Sequence, residues 1–157
     1  MAGLFKKILV ALPNDGEEAA SIARAGLVIA SAHEAEARIL NVITPVLEPS
    51  SPAIRFAAAD TPIMSVAQVS EPTIQSRKEM IEDILKQHSA GMKTDQTVRA
   101  GHPAMEIVSE SESWGADLIV LGSRDRNWLE RVLDPSVSRE VVKKASCAVL
   151  ILPDKSR

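Results

Sequence analysis

The run Ala116-Asp117-Leu118-Ile119-Val120-Leu121 closes on Gly122-Ser123. An apolar run ending in two small residues can hold a phosphate, because backbone N–H groups there approach an anion closely. The residues that follow carry a different chemistry. Asp125 sets a carboxylate in the path of a polyphosphate, and at 4–5 Å with an effective dielectric of 20 to 80 the repulsion is roughly 1–4 kcal/mol per charge pair. Pro135, just before Ser136 and Val137, has no N–H to donate and fixes its own backbone. Arg124 and Arg126 offset part of the repulsion, but Asp125 and Glu130 compete for them.

Other reactive patterns are weaker. His33, His88 and His102 are scattered and have no metal-ligand spacing with Cys147. The chain has neither a Gly-x-Ser-x-Gly elbow nor a Walker-type loop. A phosphoacceptor receiver needs clustered carboxylates after its first strand, where only Asp15 stands, in Pro13-Asn14-Asp15. A flavodoxin-like carrier lacks flavin-stacking aromatics on the right loops. No catalytic residue and no metal site is therefore expected, and Cys147 reads as a small hydrophobe in or beside a strand.

The bulk numbers narrow the partners. A chain of 157 residues suits one domain, 1–157, with one core. Eighteen basic against 21 acidic residues give a net charge of -3 with no basic run, which argues against nucleic acid. Phe5, Phe56, Trp114 and Trp128 are the only aromatics, too few for a base-stacking platform. One cysteine allows no intramolecular disulfide. The N-terminal residues do not read as a secretory signal and no run approaches a membrane span, so the cytoplasm is the expected compartment.

The elements that must position the Gly122 loop alternate between strand and helix. Strands are expected over Lys7–Leu12, Glu36–Ile43, Lys93–Ala100, Asp117–Gly122 and Ala148–Leu152. Helices are expected over Glu17–Ala32 with Asp15 as cap, about Thr73–Ala90, from Pro103 to Gly115, and Ser136–Ala145. In the third of these helices Ala104, Ile107, Val108, Ser111 and Trp114 form the inward stripe. Residues 44–72 hold five of the nine prolines and read as a long irregular connection, with a short helix near Ala53–Ala59. It is expected to be the least ordered part of the chain. The alternation predicts an α/β fold of three layers, with helices on both faces of a five-stranded parallel sheet. The apolar first and fourth strands belong at its centre, and the polar third near an edge.

The chain resembles the universal stress protein family. The resemblance rests on KKILVAL, on GHPAMEIV at Gly101–Val108, on ADLIVLGS at Ala116–Ser123 and on the closing ASCAVLIL. It implies the adenine nucleotide alpha hydrolase-like strand order 3-2-1-4-5, with a ligand crevice at the switch point between strands one and four. In nucleotide-binding members the fourth strand runs into Gly, two residues, Gly, nine residues, Gly, then Ser or Thr. Here Gly122 stands first, Asp125 second and Pro135 third, followed by Ser136. The position of the family's aspartate after strand one falls on Pro13. The resemblance thus implies a vestigial nucleotide cleft lined by Ala11, Pro13, Val42, Leu121 and Gly122, with Asp125, Pro135, Ser136 and Val137 on its phosphate side.

The function implied is a regulatory, stress-response protein that needs no cofactor and does not bind ATP tightly. The alternative is a nucleotide sensor or slow ATPase, taking ATP with magnesium through an altered loop. The resemblance places strand five, Ala148–Leu152, at the sheet edge, where an apolar strand without charge or proline needs cover. A homodimer through that strand supplies it, with Trp128 and Leu129 as flanking contacts. A further protein partner, of a kind the sequence does not name, is also compatible with this reading.

Overall fold

The computed structural model describes residues 3–14, 16–45, 69–123 and 137–153. Its elements, in chain order, are β1 (Lys7–Leu12), α1 (Gly16–Ala32), β2 (Glu36–Ile43), α2 (Glu71–His88), β3 (Thr94–Ala100), α3 (Pro103–Trp114), β4 (Leu118–Ser123), α4 (Val137–Lys144) and β5 (Ala148–Pro153). The strands form one sheet of order β3-β2-β1-β4-β5, every pairing parallel. Leu9 sits between Arg38 on β2 and Ile119 on β4, so the two most apolar helix-flanked strands lie at the centre. The polar β3 lies at one edge and β5 at the other.

Because side chains alternate along a strand, each central strand feeds two cores. Ile8, Val10, Leu12, Ile39, Leu118 and Val120 face α1 and α2, where Ile22, Ala23, Leu27, Ile81 and Ile84 meet them. Leu9, Ala11, Leu40, Val42, Ile119 and Leu121 face the opposite layer, where Ala104, Ile107 and Val141 cover them. The strands are buried on both faces, which explains their continuous apolar texture.

Element ends follow local chemistry. Pro103 stands in the first turn of α3, and Gly115 ends that helix in the left-handed conformation, φ 75°. Helix α2 begins at Glu71 rather than Thr73, which draws Pro72 out of the expected irregular connection. A proline in a first turn sacrifices no helical hydrogen bond, so the helix extends through it. The rest of that connection from 46 to 68, including the short helix expected at 53–59, lies outside the described residues, as does the Asp15 cap.

Charge is buried on the α3 layer. Glu110 is 8% exposed and joins two arginines from neighbouring strands. Arg38 Nη1 donates to Glu110 Oε1 at 2.8 Å, and Arg99 Nη1 to Oε2 at 2.8 Å. Arg38 Nη2 also reaches Asp95 Oδ2 at 2.6 Å, and Arg99 Nε lies 2.7 Å from Glu106 Oε2. A carboxylate taken from water needs such partners. Burial opposes the charge on Arg38, but its bonds to Glu110 and Asp95 outweigh burial and raise its pKa. Trp114, expected simply as an inward apolar residue, is half-buried. Its ring lies under Arg38 at 4.7 Å and Lys7 at 5.3 Å, a cation–π role.

Helix α1 lies unusually close to the sheet. A Cβ on Gly26 would stand 2.6 Å from Val10 Cγ2 and 2.9 Å from Cγ1. Val10 is β-branched and fully buried, so it has little room to yield. Gly26→Ala is expected to lower the urea midpoint by the equivalent of about 1–3 kcal/mol, the usual cost of overpacking. Val10→Ala in the same chain should make the glycine replacement nearly neutral relative to Val10→Ala alone. Additive losses in the double variant would refute the close contact.

Candidate functional site

The chain leaves β1 toward α1 on one face of the sheet and leaves β4 toward α4 on the other. Pairing between β1 and β4 stops at Val10 and Val120, so the carboxyl ends of these strands form the switch point at which open sheets of this kind take ligands. Ala11, Val42 and Leu121 are 7%, 7% and 4% exposed and belong to the apolar cluster under α3 and α4. Val137, the first residue of α4, packs on the same cluster. These four residues share one packed apolar cluster beneath α3 and α4. Asp125, Pro135 and Ser136 lie outside the described residues.

Gly122 belongs to the opposite face. A Cβ there would lie 2.5 Å from Ile22 Cδ1 and 3.4 Å from Glu18 Oε1. The glycine is therefore accounted for by the seating of α1, without appeal to a phosphate. Glu17 and Glu18 fill the first turn of α1, where they favour the helix electrostatically. The same turn would otherwise attract an anion, so its two carboxylates work against a phosphate at that helix end.

The wall between β1 and α1 is held by side chains from distant elements. Asn41 on β2 is fully buried. Its Nδ2 donates toward Leu12 O at 3.1 Å, Pro13 O at 3.4 Å and Asn14 Oδ1 at 3.2 Å. Arg77 Nη1, from α2, donates to Asn14 O at 2.8 Å. Pro13 is half-buried on this wall. Sequence reasoning assigned nothing to Asn41 or Arg77. A usable signal existed for the first: Asn41 is the one polar residue within Ile39-Leu40-Asn41-Val42-Ile43, a stretch buried on both faces.

The Gly101-His102-Pro103 turn beside the crevice is also organised by packing. A Cβ on Gly101 would stand 2.8 Å from Glu106 Oε1, because the Glu106 side chain folds over the glycine to reach Arg99. His102 Nε2 lies 3.8 Å from Glu140 Oε2 on α4. A hydrogen bond from Lys144 lowers the Glu140 pKa, with His102 adding a smaller charge effect. Cys147 is half-buried among the α4-side residues, and burial, then the Asp117 charge, push its thiol pKa up. That matches a packing cysteine rather than a nucleophile. Among the described residues no group of three or more His, Cys, Asp or Glu could hold a metal ion. No helix among them is long and apolar enough to cross a membrane.

An open parallel sheet of this order, with helices on both faces and its switch point between β1 and β4, defines a protein of the adenine nucleotide alpha hydrolase-like fold. Residues 4–153 match the universal stress protein family, and the chain belongs to that family. It is 32% identical over 151 residues to universal stress protein MJ0531 of Methanocaldococcus jannaschii, covering 95% of this chain and 82% of the relative. It is 30% identical over 156 residues to universal stress protein YxiE of Bacillus subtilis, covering 95% and 99%. Among solved structures, MJ0577, also from M. jannaschii, superposes with a TM-score of 0.67 at 27% identity, covering 98% of this chain and 99% of that one.

The packing account of Gly122 is open to measurement. Gly122→Ala is expected to cost about 1 kcal/mol of stability, because Ile22 Cδ1 must move from the space the new methyl takes. Ile22→Val removes that atom, so the two substitutions should couple favourably by a comparable amount in a double-mutant cycle. Independent, additive effects would show that α1 does not dictate this glycine.

Proposed function

We propose that this stress-response family member is a regulatory protein whose cleft does not hold ATP tightly, and that it works without catalysing a reaction of its own. The observation that carries the reading is the replacement of the phosphate-binding glycines. Asp125 and Pro135 stand where the nucleotide-binding pattern needs glycines, and Gly122, the one that remains, is explained by α1. A carboxylate and a missing N–H together can move a micromolar site toward millimolar, since each ~1.4 kcal/mol is tenfold in affinity.

Calorimetric titration with ATP and magnesium is expected to show no Kd at or below about 10 μM, the scale of roughly 7 kcal/mol. Asp125→Gly combined with Pro135→Gly should strengthen binding at least tenfold. A wild-type Kd in the low micromolar range would favour the nucleotide-sensor alternative, and no gain in the double variant would remove the electrostatic and steric account.

The same reading includes a cytoplasmic homodimer joined through β5. Among the described residues β5 pairs with β4 alone, leaving its other edge open. Leu150 and Ile151 are each 37% exposed, and Val142 on the preceding helix is 52% exposed. No charged residue interrupts the strand. An apolar, uncharged edge is a template for pairing, and a second copy across a two-fold axis covers it without open-ended growth. Light scattering at micromolar concentration is expected to give a dimer mass, reduced to a monomer by Val149→Lys. A monomer mass for the unaltered protein would remove the dimer.

A further inference from the structure

We propose that Asn41 and Arg77 are positioning residues for the cleft, a pair of donors from two distant elements that together fix the Leu12-Pro13-Asn14 wall. The inference rests on the cleft described above being the ligand site of this protein. It adds which residues set the shape of that cleft on the side away from the Gly122 loop.

The Asn41 amide offers two hydrogens to three oxygens, those of Leu12 O, Pro13 O and Asn14 Oδ1, within 3.1–3.4 Å. Its orientation is determined by this set. The flipped amide would point its own oxygen at the two carbonyls, which can only accept. Among the described residues Asn41 Oδ1 is buried without a partner, while the two N–H groups face the wall. Pro13 cannot donate a backbone hydrogen bond of its own, so this turn depends more than most on donors brought from elsewhere.

Arg77 completes the arrangement from outside. Its 2.8 Å bond to Asn14 O spans 63 residues of sequence and ties the second turn of α2 to the wall. Asn14 thus receives a donor on its side chain from β2 and a donor on its carbonyl from α2. The acceptors of the wall are drawn toward protein donors, which leaves fewer of them directed at a ligand. The wall also becomes sensitive to the placement of α2, the helix that follows the long Pro-rich connection. A shift of α2 that withdraws Arg77 would free the Asn14 carbonyl, while Asn41 would still hold Leu12, Pro13 and the Asn14 side chain.

Amide hydrogen exchange on the unliganded full chain tests the proposal without reference to any nucleotide. In Asn41→Asp, which keeps the shape but turns donors into a carboxylate facing oxygens, exchange at Leu12, paired with residue 41 in the β1–β2 ladder, is expected to rise at least tenfold. Exchange in β3 and α3 should stay unchanged. In Arg77→Met the rise should be smaller and confined to the same amide, and Arg77→Lys, which keeps a donor, should restore part of the protection. Should Asn41→Asp fail to fold, the Arg77 pair decides the matter alone. A uniform rise across the chain in the Arg77 variants, no rise at all, or equal effects of Met and Lys would overturn the proposal. ATP calorimetry on the unaltered protein separately judges the functional reading, so failure of one leaves the other standing.

Discussion

The structure depends on how closely α1 can lie against the centre of its sheet. Gly26 lets the helix backbone meet the Val10 side chain, and Gly122 lets the end of β4 accept Ile22 from the same helix. One helix thus bridges the two strands whose separation creates the switch point. Interiors are packed like crystals, so two missing methyl groups translate directly into helix position. Helix α1 in turn sets where the β1–α1 wall begins, and it places Glu18 beside the end of β4. The relation between the ends of β1 and β4 follows from this seating.

The opposite layer is organised by charge as well as by apolar contact. Glu110 links Arg38 and Arg99, which belong to adjacent strands, while Trp114 lies beneath Arg38. Removing one member of such a group would leave a buried charge uncompensated, a penalty of about 3–5 kcal/mol in comparable sites. The network is therefore better read as fixing the register of α3 over β2 and β3 than as a surplus of stability. It also explains the Gly101-His102-Pro103 turn. Glu106 crosses the glycine to join Arg99, so the family's turn is kept in this chain by an ion pair with a structural purpose.

Much of this architecture was legible in the residues. The apolar runs at Ile8–Leu12 and Leu118–Leu121 marked the central strands, and the alternating Thr94–Ala100 marked an edge, because burial on one or two faces leaves distinct textures. The full strand order needed the family resemblance, since texture alone does not place β5. The buried network escaped for a different reason. Glu110, Arg38 and Arg99 look like solvent-facing charges in any single segment, and only the pairing of β2 with β3 reveals that Arg38 and Arg99 point to one helix. Arg77 escaped in the same way, because a donor brought from 63 residues away leaves no local periodicity, whereas Asn41 stood out as a lone polar residue in a buried strand. Ala11, Val42 and Leu121 share one apolar cluster because strand alternation places them on the same face, while the missing side chain of Gly122 admits Ile22 from α1.

These features separate what the fold requires from what a ligand would require. The α1 contacts, the Glu110 ion pairs and the Asn41 hydrogen bonds are each made between protein atoms, although Arg38 Nε and Asn41 Oδ1 find no partner among the described residues. A nucleotide loop is different in kind, because its glycines leave N–H groups waiting for an anion. A chain that holds its crevice open by internal contacts can replace those glycines with Asp125 and Pro135 and lose little of its fold. The apolar floor then survives for reasons of core packing alone, since Ala11, Val42 and Leu121 continue the rows of Leu9, Leu40 and Ile119. Persistence of a cleft in this family is thus compatible with loss of its phosphate chemistry.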